Sequence, residues 1–140
     1  MYTILFPYLL GLLLAAATCY PARALSLRDE RGFFAVILAL VAIGFVGFPL
    51  QQGDLAGVAQ EGLIMGILLV LAWFGRRSFL WLSVAFFGHG VWDLAYLIGF
   101  VPVDKPIWVI QLCVPYDWAV AGYLLTRLTA GRSVVEAPTS

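Results

Sequence analysis

Five apolar runs, each about as long as a membrane is thick, constrain this chain more than any other feature. They cover about 2–20, 32–50, 56–74, 78–100 and 107–127 and leave little between them. Roughly 20 helical residues cross ~30 Å of hydrocarbon, so each run is a candidate spanning helix. Hydrophobic residues make up 63% of the sequence and charged residues 11%, more apolar surface than a 140-residue soluble fold can bury. The expected fold is therefore all-α: a single membrane domain, a compact bundle of five transmembrane helices with a short tail over 128–140. A cleaved signal peptide would start with positive charge, but no Lys or Arg precedes Arg23, so the first run is read as a spanning helix. The net charge is zero, which gives no basis for a nucleic-acid partner.

The interruptions agree with this count. Pro21 follows the first run, Pro49 closes the second before "QQGD", "GRRS" parts the third and fourth, and "PVDKP" parts the fourth and fifth. Basic residues fall on alternate connections: Arg23, Arg28 and Arg31, then Arg76 and Arg77, then Arg127 and Arg132. The opposite connections hold only Lys105. The positive-inside tendency then puts the N-terminus outside and the C-terminus in the cytoplasm of a multi-pass cell-membrane protein.

Against that apolar background stands "GHGVWDLAYL", which contains the only histidine, His89, and Asp93 four residues later. Glu61 and Asp117 are the other acids inside spans. Counting ~1.5 Å per residue from the outer boundary puts Glu61 about 8 Å deep, Asp93 about 10–12 Å, Asp117 about 15 Å and His89 near the midplane. Four ionisable groups from three helices thus share one slab. Residues of this kind inside a membrane face the bundle interior and mark functional sites, or hold helices together as a hydrogen-bonded clasp. No Lys or Arg lies deep in any span, so the carboxylates are expected to be partly protonated, with His89 carrying compensating charge. Such coupled groups suit acid–base chemistry.

One face of the fourth helix reads Phe86, His89, Trp92, Asp93, Tyr96 and Phe100, a spacing at which Asp93 can orient the His89 ring. On the fifth, "CVPYDW" puts Tyr116, Asp117 and Trp118 just beyond Pro115. Trp92 and Trp118 adjoin intramembrane acids, and an indole face stabilises a passing cation. Gly62 and Gly66 form a small-xxx-small pair, expected to pack the third helix closely on a neighbour such as the fourth, through Gly88 and Gly90. No metal or other cofactor is expected: one His without a Glu-x-x-His pair is a poor metal set, and bis-His haem ligation is impossible. Cys19 and Cys113 fall too far apart to pair.

Locally, His89 and Asp93, with Glu61 and Trp92, resemble the site logic of emopamil-binding-type sterol isomerases. Membrane terpene cyclases, which protonate an isoprenoid with intramembrane acids, are similar in kind. The resemblance rests on those four residues and implies a chemistry. The expected function is acid–base catalysis on, or binding of, a lipid-soluble small molecule such as an isoprenoid, sterol or quinone. Catalysis would fall to Asp93, Glu61, His89 and Asp117, and the pocket lining to Trp92, Tyr96, Tyr116, Trp118 and Phe86. The expected partners are the bilayer and that molecule. Alternative readings are a proton or cation pathway, alone or as a homo-oligomer, and an accessory subunit of a membrane complex with the polar cluster as clasp.

Overall fold

The computed structural model describes residues 2–101 and 105–135, and among these the only regular elements are five α-helices. They are α1 (Tyr2–Ala22), α2 (Leu27–Gln52), α3 (Leu55–Gly75), α4 (Phe79–Leu97) and α5 (Ile107–Val135). Four contain stretches long and apolar enough to cross a membrane: Leu5–Ala22, Arg28–Gln52, Leu55–Gly75 and Ile107–Thr129. The outward faces carry Leu13, Leu40, Leu63, Val70 and Phe87, a surface suited to hydrocarbon and not to water. The fourth helix carries His89 and Asp93 and occupies the interior instead. Nine of its 19 residues are buried, against four of 21 in α3, and it packs on α5, α3 and α2. α1 joins the bundle by packing along α5.

Capping chemistry sets the helix ends, and three of them depart from the apolar runs. α2 starts at Leu27, five residues before its apolar run. The Ser26 side chain accepts the Asp29 N–H, so the charged segment winds into the first turn instead of forming a loop. α4 stops at Leu97 and not near 100, because Gly99 turns left-handed (φ 75°) and the Phe100 N–H returns to the Ala95 carbonyl at 2.9 Å. α5 continues past 127 to Val135. Asp54 and Ser78 cap α3 and α4, which keeps both connections to a few residues.

In an apolar solvent the hydrophobic effect does not hold helices together, so close packing and polar contacts must. The packed layer comprises Phe34 and Leu38 of α2, Leu82 and Phe86 of α4, and Val120 and Leu124 of α5. Glycine permits close approach to α5 at two places. A Cβ on Gly11 would collide with the Leu112 carbonyl of α5, and one on Gly90 would lie 2.5 Å from Trp118 Nε1. The Gly62/Gly66 pair does not serve this purpose. A Cβ at either, or at Gly88, would meet nothing within 4 Å. α3 approaches its neighbours instead at Gly57, where a Cβ would lie 2.9 Å from Pro49 Cβ of α2, and at Gly75, where one would lie 2.5 Å from Leu82 Cδ2 of α4.

Candidate functional site

Five ionisable side chains meet where α3 and α5 begin and α4 ends. Glu61 comes from the second turn of α3, His89 and Asp93 from α4, and Asp117 from α5. Lys105 reaches in from the connection between α4 and α5. Each is at most 4% exposed, so whatever offsets their desolvation lies inside the bundle.

The cluster has two halves. In one, Glu61 Oε1 accepts hydrogen bonds from the Tyr96 hydroxyl and from Trp92 Nε1 at 3.2 Å, and Lys105 Nζ stands 3.0 Å away. Gln60 Nε2 donates to the Tyr96 hydroxyl at 3.1 Å, extending the chain of contacts along α3. The ammonium also sits 4.3 Å from the ring centroids of both Phe45 and Tyr96, held between two aromatic faces. In the other half, His89 Nδ1 and Asp117 Oδ2 are 2.7 Å apart, and the imidazole stands edge-on to Phe45 at 4.8 Å. Asp93 lies between the halves. Its Oδ1 is 3.9 Å from Lys105 Nζ, and neither carboxylate oxygen has a hydrogen-bond partner among the described residues.

Two sequence expectations are corrected here. The histidine bonds across the α4–α5 interface to Asp117, not along α4 to Asp93. Helical spacing makes Asp93 available, but Gly90 lets α5 come close enough for Asp117 to take the imidazole. The carboxylates also have a fixed cation after all. Lys105 lies outside every apolar run, yet its four-carbon stem carries the ammonium into the bundle. A lysine in a loop flanked by acid-bearing helices was the available signal, since it is the only lysine in the sequence and the only basic residue between Arg77 and Arg127.

Of the aromatic candidates, Tyr96 and Trp92 join the cluster through Glu61. Phe86 packs edge-on to Phe34 and near Tyr116, in the apolar layer. The Tyr116 hydroxyl contacts Thr18 of α1 at 3.5 Å, and Trp118 stacks on Phe87 beside a different groove. Trp92 and His89 also border a groove of about 390 Å³ between α3 and α4, lined otherwise by apolar residues such as Leu68, Ala85 and Phe100. Gly88 on its wall leaves open space where a side chain would stand.

His89, Asp93 and Asp117 each present a ligand atom within 4.8 Å of the others, a donor set that suits a divalent cation of intermediate hardness. Such an ion would have to replace the His89–Asp117 bond and sit near the Lys105 ammonium. Both thiols, Cys19 and Cys113, are free.

Four helices long and apolar enough to cross a membrane, packed with a buried polar cluster, define the class: an all-α bundle compatible with a membrane protein, with an internal ionisable site. No protein-family model, curated protein or solved structure matches the chain.

Proposed function

We propose that the chain crosses the membrane five times, N-terminus outside and C-terminus cytoplasmic, and performs acid–base chemistry on a lipid-soluble small molecule. The observation that carries this reading is Asp93, a fully buried carboxylate with no hydrogen-bond partner among the described residues, next to the groove-lining His89. A carboxylate in that position is unfavourable unless it is put to use, and intramembrane ionisable groups mark reaction or transport paths. Three carboxylates face one lysine and one histidine, so with His89 protonated one further proton is needed for neutrality. Asp93 is the group free to hold it.

The groove between α3 and α4 opens on the apolar flank and suits an isoprenoid, sterol or quinone-like molecule entering from the bilayer. His89, on the groove wall, would deliver a proton to an alkene carbon and regain one from Asp93, whose carboxyl lies within 4.8 Å of the imidazole; a proton lost from a neighbouring carbon would return to Asp93. The net result is isomerisation without any change of oxidation state. Asp117 would hold the His89 ring in one orientation, as a carboxylate does for a relaying imidazole. Glu61 would position Tyr96 and Trp92, which donate to it, and Lys105, which pairs with it. The Trp92 indole would stabilise positive charge developing in the groove, by up to ~2 kcal/mol. The apolar layer of Phe34, Leu38, Leu82, Phe86 and Leu124 lies beyond the cluster and disfavours a proton path through the bundle.

The test is to purify wild type and Asp93→Asn in mild detergent, identify co-extracted lipophilic molecules by mass spectrometry, and incubate both in deuterated water. Wild type should carry an unsaturated lipophile and exchange deuterium into it, and Asp93→Asn should not exchange. Equal exchange in both proteins, or none in wild type, overturns the reading.

A further inference from the structure

A second feature, remote from the acid cluster, lies where α2 begins and α3 ends. Arg28, Arg76, Arg77 and Trp73 line an open cavity of about 560 Å³, together with Asp29 and Gly32. No carboxylate lies within ion-pair distance of these three arginines among the described residues. Asp29 is the one acid in the lining, against three arginines, and Glu30 lies outside it. The Ser26 hydroxyl donates to Asp29 Oδ2 at 2.5 Å, and Glu30 is turned to Arg127. The cradle therefore carries more positive than negative charge. It is also organised: the Arg76 guanidinium stands 5.3 Å from the Trp73 ring centroid, and Arg31 ties the turn by donating to the Arg77 carbonyl at 2.9 Å.

Directly beside this cradle runs an apolar groove of about 420 Å³ between α2 and α3. The two share Gly32, Trp73 and Arg76, and the groove continues along Val36, Ala39 and Leu69. A basic, tryptophan-edged cradle opening into an apolar channel matches an amphipathic anion: phosphate in the arginines, acyl chain between the helices. A soluble phosphate would use only the first half. We infer that this face is a binding site for an anionic glycerophospholipid. The inference rests on the membrane reading of the helices and is independent of any chemistry at Asp93. Arg28, Arg76 and Arg77 belong to the basic connections that the positive-inside tendency assigns to the cytoplasmic leaflet, where anionic lipids reside.

Native mass spectrometry tests it, with full-length protein exchanged into mixed micelles of dioleoyl phosphatidylglycerol or dioleoyl phosphatidylcholine, lipids with identical chains. Wild type should retain phosphatidylglycerol preferentially. The R28Q/R76Q/R77Q variant should lose about a hundredfold in retention, at about fivefold per arginine. Gly32→Leu should also lose it, because a Cβ there meets nothing within 4 Å and the side chain would fill the groove without straining the bundle. Arg23→Gln, which removes the same kind of charge outside the cradle, should retain the lipid, as should Asp93→Asn. Equal retention of the two lipids by wild type overturns the proposal without reference to any variant. Undiminished retention in the triple variant does so too, as does displacement of phosphatidylglycerol by millimolar inorganic phosphate. A lipid-free dimer mass would assign the groove to a second copy of the chain and overturn it as well.

Discussion

Two buried polar clusters lie towards opposite ends of the bundle, and they are built on different principles. At one, Glu30 receives Arg127 Nε on both oxygens, at 3.2 and 2.9 Å, and the Tyr123 hydroxyl at 2.5 Å. One carboxylate meets one guanidinium and one hydroxyl, and the charges close. At the other, three carboxylates share one lysine and one histidine, and both oxygens of Asp93 remain without a hydrogen bond among the described residues. The first cluster has what a helix clasp requires. The second has everything a clasp requires and one acid more, and that surplus is why the functional proposal belongs there.

Substitutions sharpen or break this contrast. The largest expected effect is on activity: Asp93→Asn should lower turnover or deuterium exchange by about 10²–10⁴-fold. Its unfolding midpoint in detergent should hold, since an amide of the same shape replaces a protonated carboxyl that makes no hydrogen bond among the described residues. A collapse in stability would make Asp93 part of a clasp. Next is Lys105→Met, which strands Glu61 without its cation and should cost about 3–5 kcal/mol in denaturant unfolding. The double variant Glu61→Gln/Lys105→Met should recover much of that loss. Arg127→Met should cost about 2–3 kcal/mol, less because the Arg127 side chain is 18% exposed, and should leave deuterium exchange unchanged. Smallest are the glycines. Gly90→Ala should destabilise by about 1–3 kcal/mol by crowding Trp118, and Gly66→Ala should be neutral or stabilise by up to about 1 kcal/mol. Equal effects at these two glycines would refute the packing described for α4 and α5.

The helices were legible in the sequence because length and apolarity report directly on hydrocarbon thickness. Their ends were less so. Leu27–Arg31 is charged and reads as a loop, and only the Ser26 cap turns it into helix. The convergence of Glu61, Asp93, His89 and Asp117 followed from counting depth along antiparallel runs. Partner choice did not. Helical periodicity favours His89 with Asp93, whereas the observed pair spans two helices and depends on how closely Gly90 lets them approach. Lys105 escaped for a related reason. A loop position says nothing about where a long flexible side chain ends, and hydropathy treats a lysine between prolines as surface. Glu30 lies outside every apolar run and is yet wholly buried, because the extra turn of α2 brings it under Tyr123 and Arg127.

The position of Lys105 along the chain bears on biogenesis. Synthesis proceeds from the N-terminus, so Glu61 and Asp93 emerge before the cation that neutralises them, and Asp117, the partner of His89, emerges later still. The α3–α4 hairpin must therefore wait with its acids protonated or near water until the following connection is made. The polar site is then completed last, by the final helix itself, which brings Asp117 to His89.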